Sequence, residues 1–295
     1  MKITAADELQ WASYPGQRSP TITYKPLLKG TPGTPENYEL TINSFGEGGS
    51  FSPRHRHNFE QFRYALGTPL NYSPGLDIPP GQIGFFPEGA YYGPQTIVEG
   101  SLMLIVQFGG ASGSGYLSVD QLMQGTNELR LRGEFNGGVY TTINAAGKRT
   151  NQDGHEAVWQ YVSGHPVHYP APRYREPIII QPEAFQWSSH EGQPGVDRRL
   201  FGVFNERGAS ASQYRLAQGA TLTLPSTGGS VLVFLDSGQL EIEATPYSAY
   251  TAIEVSHGET ATLTALEDSV LLTFTMSDFS LADGGAEHRS TEHAA

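Results

Sequence analysis

Short apolar or alternating segments, separated by Gly, Pro and Asn, recur along most of the 295 residues. Such segments predict strands, because alternate side chains of a strand point to opposite faces of a sheet. The first half contains YELTINSF, FEQFRYAL, GQIGFFP and SLMLIVQF; the second contains RLFGVF, QYRLA, ATLTLP, VLVFLDSG, TATLTAL and VLLTFTM. The pattern predicts antiparallel sheets, and the period alone leaves sandwich and barrel architectures open.

An internal repeat organises these segments. Residues 10–17 (QWASYPGQ) return as residues 186–193 (QWSSHEGQ), which is an offset of 176 residues. Three further matches follow in the same order at a similar spacing: Tyr38-Glu39-Leu40 with Tyr214-Arg215-Leu216, Pro80-Gly81 with His257-Gly258, and residues 101–108 with the run that starts at Ser269. Ordered matches of this kind indicate duplication of a unit of about 110 residues. We therefore predict related domains over residues 1–110 and 176–282.

The segment between the two units, residues 111–175, has a different character. It opens with GGASGSG and ends in the Pro-rich GHPVHYPAPRYREP, which is typical of a connector. Short helices are predicted from Ser118 to Leu131 and from His155 to Tyr161. Residues 283–295 contain almost nothing to bury, so we predict a disordered tail there.

Composition and charge narrow the chemistry. The chain has no Cys, which excludes disulfides, thiolate metal sites and a Cys nucleophile. A net charge of −12 without a basic run predicts no nucleic-acid or anionic-membrane partner, and leaves a small molecule as the expected one. No stretch has the roughly 18 apolar residues of a membrane span, so we expect a cytoplasmic protein.

The segment with the most informative chemistry contains two histidines. His55 and His57 project the same way if the segment is extended, and Gln61 and Arg63 share that parity. Two imidazoles on one face can chelate a metal, and imidazole together with an oxygen donor suits a divalent first-row ion. The third ligand stays open between Gln61 and Glu60, since Glu60 points to the other face unless the strand bulges.

Two spacings around these histidines resemble the motifs of the cupin superfamily. Gly49, five residues and His55-Arg56-His57 match the first motif, and Pro80-Gly81, five residues and Pro87-Glu88-Gly89 match the second. We assign Ala90 to the place where the second motif would supply a further metal-binding His. The resemblance covers roughly residues 38–108 and implies an all-β fold of two tandem jelly-roll barrels, a bicupin, with a short helix-containing connector.

The resemblance also implies a metal and a set of site residues. The metal would be a divalent transition ion, with iron first and manganese, nickel, zinc or copper as alternatives, held by His55, His57 and either Gln61 or Glu60. Tyr92 or Gln95 could replace the missing His or bind the substrate; alternatively the position is open to water or ligand. By the repeat, Pro225 and Thr227 fall where the two histidines would be, which predicts a degenerate second barrel.

The leading functional hypothesis is a metal-dependent oxidoreductase of the dioxygenase type, by analogy with quercetin-type dioxygenases. In it a small organic substrate binds at the open metal position, and Arg63 or Tyr92 stabilises developing negative charge. Alternatives are a non-redox lyase or isomerase that uses the metal as a Lewis acid, and a non-catalytic ligand-binding bicupin. Because cupins often pair through sheet edges, a homodimer is the expected assembly.

Overall fold

The computed structural model describes residues 1–13 and 21–280. The predicted tail, residues 283–295, and part of the first repeat copy, residues 14–17, lie outside the described residues. The helices are α1 (Val119–Arg130) and α2 (Gly154–Ser163), and short 3₁₀ turns cover Ala6–Glu8 and Pro182–Ala184. The strands are β1 (Lys2–Ala5), β2 (Ala12–Ser13), β3 (Ile22–Lys29), β4 (Tyr38–Phe45), β5 (Ser50–Ser52), β6 (Glu60–Ala65), β7 (Leu70–Ser73), β8 (Leu76–Ile78), β9 (Ile83–Phe86), β10 (Gln95–Ile97), β11 (Leu102–Phe108), β12 (Glu134–Asn136), β13 (Val139–Ile143), β14 (Arg149–Asp153), β15 (Ile178–Ile180), β16 (Ser188–Ser189), β17 (Val196–Val203), β18 (Ser210–Leu216), β19 (Thr221–Pro225), β20 (Val231–Ser237), β21 (Gln239–Ile242), β22 (Thr245–Ser248), β23 (Thr251–Val255), β24 (Thr260–Ala265) and β25 (Ser269–Thr275).

Two seven-stranded antiparallel sheets dominate the molecule, and their strands follow the same order. The first is β15-β9-β6-β11-β4-β3-β2 and the second is β1-β23-β20-β25-β18-β17-β16. Smaller sheets, β5 with β10 and β7 with β8, accompany the first, and the four-stranded sheet β19-β24-β21-β22 accompanies the second. The prediction of an all-β protein built from two related units is confirmed, with barrel rather than single-sandwich architecture.

The two barrels exchange edge strands. The N-terminal strand β1 pairs with β23 of the second barrel, whereas β15, which precedes the second barrel in the chain, pairs with β9 of the first. Each large sheet therefore ends on a strand contributed from the other half of the sequence. A paired edge has no unsatisfied row of backbone N–H and C=O groups.

The facing sides of the two large sheets form one shared apolar core. In β6, Phe62 and Tyr64 belong to this core, and in β20 Leu232 and Phe234 do. The alternate residues of each strand point into its own barrel, which gives each barrel a separate interior cluster. The period-two pattern seen in the sequence thus separates residues of the inter-barrel core from residues that line a barrel.

Two of the proposed repeat matches are not structurally equivalent. Tyr38 belongs to the shared core, whereas Tyr214 lies in the interior cluster of the second barrel, so the two side chains point to opposite sides of their sheets. The turn at Gly81 precedes β9, but the turn at Gly258 precedes β24, which corresponds to β10 in the order of strands. The first match shares two of three residues and the second one of two, and matches this short carry little information about register.

The connector contains both predicted helices and one element that the sequence analysis missed. Ser118 begins α1 with a capping box to Gln121, and Asp153 begins α2 by accepting hydrogen bonds from the backbone N–H groups of His155 and Glu156. The missed element is the three-stranded sheet β12-β13-β14. Within residues 1–13 and 21–280, neither helix has the length and apolar character needed to cross a membrane.

Candidate active site in the first barrel

The two histidines lie in an irregular stretch between β5 and β6. His55 forms an isolated antiparallel bridge with Tyr92, in which each backbone N–H donates to the other's carbonyl oxygen at 3.0 Å. The rings of His55 and His57 are 4.9 Å apart between centroids, and the rings of His55 and Tyr92 are 4.5 Å apart. The bridge therefore places Tyr92 directly opposite the first histidine, on a segment that comes from the other side of the barrel mouth.

The phenol oxygen of Tyr92 is the point where the site residues converge. It lies 3.0 Å from His55 Nε2, 3.3 Å from Gln61 Nε2 and 2.8 Å from Arg63 Nη2. The other nitrogen of His55, Nδ1, is 2.6 Å from the carbonyl oxygen of Pro53, which can only accept. In a neutral ring Nδ1 therefore carries the proton, and Nε2 presents its lone pair to the Tyr92 hydroxyl.

Arg63 is a buried cation held by neutral acceptors. Its Nε and Nη2 groups donate to Gln61 Oε1 at 3.2 and 3.0 Å, and Nη1 donates to Gln95 Oε1 at 3.0 Å. The guanidinium stacks on the ring of Phe86 at 4.1 Å from its centroid, and the side chain is only 5% exposed. In the described part of the chain no carboxylate forms an ion pair with Arg63.

The prediction of Glu60 as a possible third metal ligand is wrong. The pleat of β6 turns its side chain away from the first barrel interior, and its Oε2 accepts a hydrogen bond from Asn205 of the other unit at 2.6 Å. Burial, followed by the charge of Glu88, raises the pKa of Glu60 to about 8. No bulge interrupts the pairing of β6 with β9 or β11, so nothing redirects the carboxylate.

Gln61 does face the site, but its oxygen is engaged. Both of the contacts that Oε1 makes come from Arg63, and the amide nitrogen is directed at Tyr92. The remaining predicted residues, His55, His57, Arg63, Tyr92 and Gln95, are brought together. Gln95 contacts Arg63 rather than either histidine.

The position that the sequence analysis left open at Ala90 is not a vacancy beside the histidines. Ala90 is 2% exposed and packs in the turn after β9, where its N–H donates to the carbonyl of Pro87 at 3.4 Å. Tyr92, two residues later, fills the space opposite His55. The shared parity of positions 90 and 92 was a usable signal for this arrangement, and the phenol supplies an oxygen donor where an imidazole was expected.

A cavity of about 170 Å³ is lined by both histidines, and four of its nine lining residues come from the connector. The connector residues include His155 at the start of α2, whose ring is 5.9 Å from that of His57, and Tyr169 from the Pro-rich segment. The sequence analysis missed these residues as part of the site. They lie about a hundred positions from His57 and belong to no motif, so no sequence signal identified them.

Comparisons with known proteins find this architecture among solved structures. No family model matches the chain, and no curated protein sequence matches it. Among solved structures, a presumed dioxygenase from Nostoc punctiforme superposes with a TM-score of 0.62 at 8% identity, over 95% of this chain and 83% of that one. Streptomyces albus HEPD, solved with 2-hydroxyethylphosphonate and Fe(II) bound, gives a TM-score of 0.57 at 14% identity, over 96% and 77% of the two chains. Oxalate decarboxylase from Bacillus subtilis gives 0.53 at 12% identity, over 94% and 76%.

The chain has a bicupin fold. Its agreement with these structures at 8 to 14% identity establishes the architecture, and the resemblance stated from the two motifs is confirmed at that level. The activities and ligands in those descriptions are properties of the other proteins.

The donor chemistry of this bicupin fits a metal ion, although in a form that differs from the predicted one. Among residues 1–13 and 21–280 no three His, Cys, Asp or Glu side chains are grouped so that they could hold a metal. A centre here would therefore combine the imidazoles of His55 and His57 with the phenol oxygen of Tyr92. The Nδ1–H of His55 is already held by a backbone carbonyl, which is the arrangement that orients metal-binding imidazoles.

Proposed function

We propose that this bicupin is a metal-dependent enzyme, an oxidoreductase of the dioxygenase type, that acts on a small organic anion at the first barrel. The single observation that carries the proposal is the convergence of His55 Nε2 and the Tyr92 hydroxyl, 3.0 Å apart, beside the ring of His57 and beneath a cavity. Two imidazoles with an oxygen donor suit a borderline divalent ion such as iron(II). Similarity to a fold that also holds Fe(II) in HEPD supports the proposal by analogy.

His55, His57 and Tyr92 would hold the metal, which when bound supplies Lewis acidity and, if redox-active, a site for dioxygen chemistry. Arg63 donates to the Tyr92 oxygen at 2.8 Å and so stabilises negative charge on it. His55 Nε2 faces the Tyr92 proton and can accept it. Gln61 holds Arg63 in place because its Oε1 accepts hydrogen bonds from both Nε and Nη2 of Arg63. Gln61 is therefore a positioning residue.

The charge of the site favours an anionic substrate. The candidate donors include no carboxylate, and the buried Arg63 has no carboxylate partner among the described residues. A divalent ion next to an unpaired guanidinium is electrostatically favourable only when negative charge enters with it. Tyr92 can contribute one negative charge on losing its proton, and a bound organic anion contributes the rest.

Elemental analysis of untagged protein purified without chelator tests the metal. We expect about one transition metal per chain in the wild type and a loss of most of it in His55→Ala/His57→Ala. The matched control is His190→Ala, which removes a histidine from the second barrel region, where the ring contacts Tyr214. Metal that persists in the double variant, or that is lost equally in the control, would contradict the proposal.

Oxygen uptake separates the oxidoreductase from a lyase or isomerase. With a bound small anion, the iron-loaded protein should consume dioxygen, and the zinc-loaded protein should not, because zinc has no accessible redox change. Equal turnover with zinc under argon would instead assign Lewis-acid chemistry to the same residues.

A second candidate function, metal-free binding of a small organic anion, is favoured by one specific observation. The guanidinium of Arg63 already lies between Gln61 Oε1 and the Tyr92 oxygen, so a fixed cation is present without a metal. This function predicts no metal retained after reconstitution with iron, manganese, nickel or zinc, together with anion binding that is lost in Arg63→Met.

A further inference from the structure

The mouth of the first barrel carries two arginines whose guanidinium groups stack on tyrosine rings. Arg54 stacks on Tyr91 at 4.4 Å, and Arg56 lies between Tyr91 at 4.9 Å and Tyr169 at 4.2 Å. The distances are measured from the guanidinium carbon to the ring centroids. Stacking fixes the plane of a guanidinium and leaves its N–H edge available.

Those edges are not engaged by an acceptor in the described part of the chain. Among residues 1–13 and 21–280, neither Arg54 nor Arg56 donates a hydrogen bond or forms an ion pair. Both line the cavity above His55 and His57. A pair of guanidinium groups that are oriented but unpaired at a cavity mouth is the arrangement that recognises a carboxylate or a phosphate-like group.

The opposite wall comes from the connector. Tyr169 supplies the second stacking face for Arg56, and His155 at the start of α2 approaches His57. Asp153 lines the cavity and caps α2, its carboxylate accepting from two backbone N–H groups at 2.8 and 3.1 Å. Glu156 also lines the cavity, and its charge, after burial, raises the pKa of Tyr169.

The cavity volume limits the size of the ligand. About 170 Å³ is below the roughly 300 Å³ at which pockets for drug-sized molecules begin. Flavonoid-sized substrates, which the analogy with quercetin-type dioxygenases would suggest, therefore do not fit this cavity.

We propose that Arg54 and Arg56, held by Tyr91 and the connector residue Tyr169, form an anion subsite that binds one acidic end of a small substrate with two polar ends. The other end of that substrate reaches His55 and His57 below. The assignment of this subsite to a substrate rests on the proposed function, whereas anion binding by the arginines can be measured without it. Carboxylate and phosphate-like groups share the recognising chemistry.

Calorimetric titration of chelator-treated protein with malonate and, separately, with inorganic phosphate tests the subsite. We expect saturable binding of at least one anion, weakened about tenfold or more in Arg56→Gln and in Arg54→Gln, and reduced by added salt. Tighter malonate binding would assign a carboxylate, and tighter phosphate binding would assign a phosphate or phosphonate. The matched control is Arg132→Gln, because Arg132 also stacks on a tyrosine, Tyr161 at 5.5 Å, but lies outside the cavity.

Metal content is measured on the same variants, so that the two proposals fail separately. Normal metal content with anion affinity unchanged in both arginine variants would overturn the subsite and leave the metal centre standing. Loss of anion affinity in protein that never retains metal would overturn the proposed function and leave the subsite standing. A wild type that binds neither anion would overturn the subsite. Tyr169→Ala adds a further check, since it should weaken binding while both arginines remain.

Discussion

The two barrels use the same strand order but fill their interiors differently. Phe62 of β6 and Leu232 of β20 occupy equivalent places in the shared core, so the neighbouring inward positions also correspond. At those positions the first barrel has Gln61 and Arg63, whereas the second has Val231 and Val233. Val231 and Val233 pack in the apolar interior cluster of the second barrel, and Arg198, which lies over the ring of Tyr214 of that cluster, donates to Ser212 Oγ at 2.9 Å. The first barrel thus buries a guanidinium and an amide where the second barrel has two valines, and this difference is the one that the proposed function explains.

The loops above these strands differ in the same way. Residues 53–59 of the first barrel carry both histidines and both mouth arginines, but residues 226–230, between β19 and β20, read STGGS. Of the two residues predicted to stand where the histidines would be, Thr227 lies in this loop and Pro225 is the last residue of β19. This loop of the second barrel therefore carries no imidazole or guanidinium group of its own, and the imidazole that reaches it, His257, comes from the turn before β24 and lies 2.6 Å from the Gly228 carbonyl oxygen.

The largest expected effect comes from removing the second barrel. Deletion of residues 176–282 removes β15 from the first sheet and uncovers the apolar side of β6, β11 and β4. We expect an insoluble fragment, because each large apolar side chain that becomes exposed loses about 1.5 to 3 kcal/mol of burial. Expression and sedimentation of the fragment check this. A soluble fragment of residues 1–175 that retains metal would contradict the interdependence of the barrels.

The next largest effect on stability is expected when the arginine of the first barrel interior is introduced at the corresponding position of the second barrel. Val233→Arg would bury a guanidinium among aliphatic side chains without the amide and phenol oxygens that surround Arg63. We expect the free energy of unfolding to fall by at least about 4 kcal/mol, measured by urea denaturation. Val233→Leu is the control for overpacking without charge and should cost about 1 to 3 kcal/mol. A small effect of Val233→Arg would show that the second barrel tolerates charge.

Glu60 gives the unfolding free energy a dependence on pH. Its pKa in the folded protein is about 8, raised from 4.5 by burial first and then by Glu88. The unfolded chain therefore releases this proton at a lower pH than the folded one, so stability falls as the pH rises from about 4.5 to about 8 and then levels off. Glu60→Gln should be more stable than the wild type above pH 8, by about 1 to 3 kcal/mol, since Gln keeps an oxygen for Asn205.

Paired pH titrations of stability by urea denaturation check the effect of Glu60. The control is Glu206→Gln, which removes another carboxylate of the same cluster, whose pKa is lowered by its hydrogen bond to Arg173. This control should lose rather than gain stability at neutral pH. Equal pH profiles for wild type and Glu60→Gln would contradict the assignment of the slope to Glu60.

The smallest effect concerns a hydroxyl that only the first barrel carries. Tyr64 and Phe234 occupy equivalent places in the shared core, and the Tyr64 hydroxyl donates to Asp236 Oδ2 of the second barrel at 3.2 Å. Tyr64→Phe should lower the free energy of unfolding by about 1 kcal/mol, because one buried hydrogen bond is lost. Thermal unfolding monitored by calorimetry is sensitive enough for this change. An unchanged midpoint would indicate that the hydrogen bond contributes nothing to barrel association.

The sequence predicts the strands well where one period dominates. The alternation in YELTINSF and the apolar run in VLVFLDSG became β4 and β20, and the capping residues Ser118 and Asp153 mark the helices of the connector. The sheet β12-β13-β14 was missed because segments such as RTNQD are short, exposed and polar. Edge-strand exchange was missed because pairing partners more than ninety residues apart have no local pattern.

The candidate site was predicted only in part, because the parity of a strand gives the side on which a residue lies but not the contacts of its side chain. Parity alone places Gln61 and Arg63 on one side of β6 and Glu60 on the other, and the structure agrees. Parity does not specify that Arg63 engages the oxygen of Gln61, because that contact depends on side-chain packing against Phe86. Tyr169 and His155 reach the cavity only through the path of the connector.

We expect the first barrel alone to hold a metal, through His55, His57 and Tyr92. An anomalous difference map of the crystalline protein after reconstitution with iron(II) or manganese(II) under argon would locate the ion. We predict one peak, bounded by the two imidazoles and the phenol oxygen of Tyr92, and no peak inside the second barrel. A peak in the second barrel, a peak that Tyr92 does not contact, or the absence of any peak would contradict it.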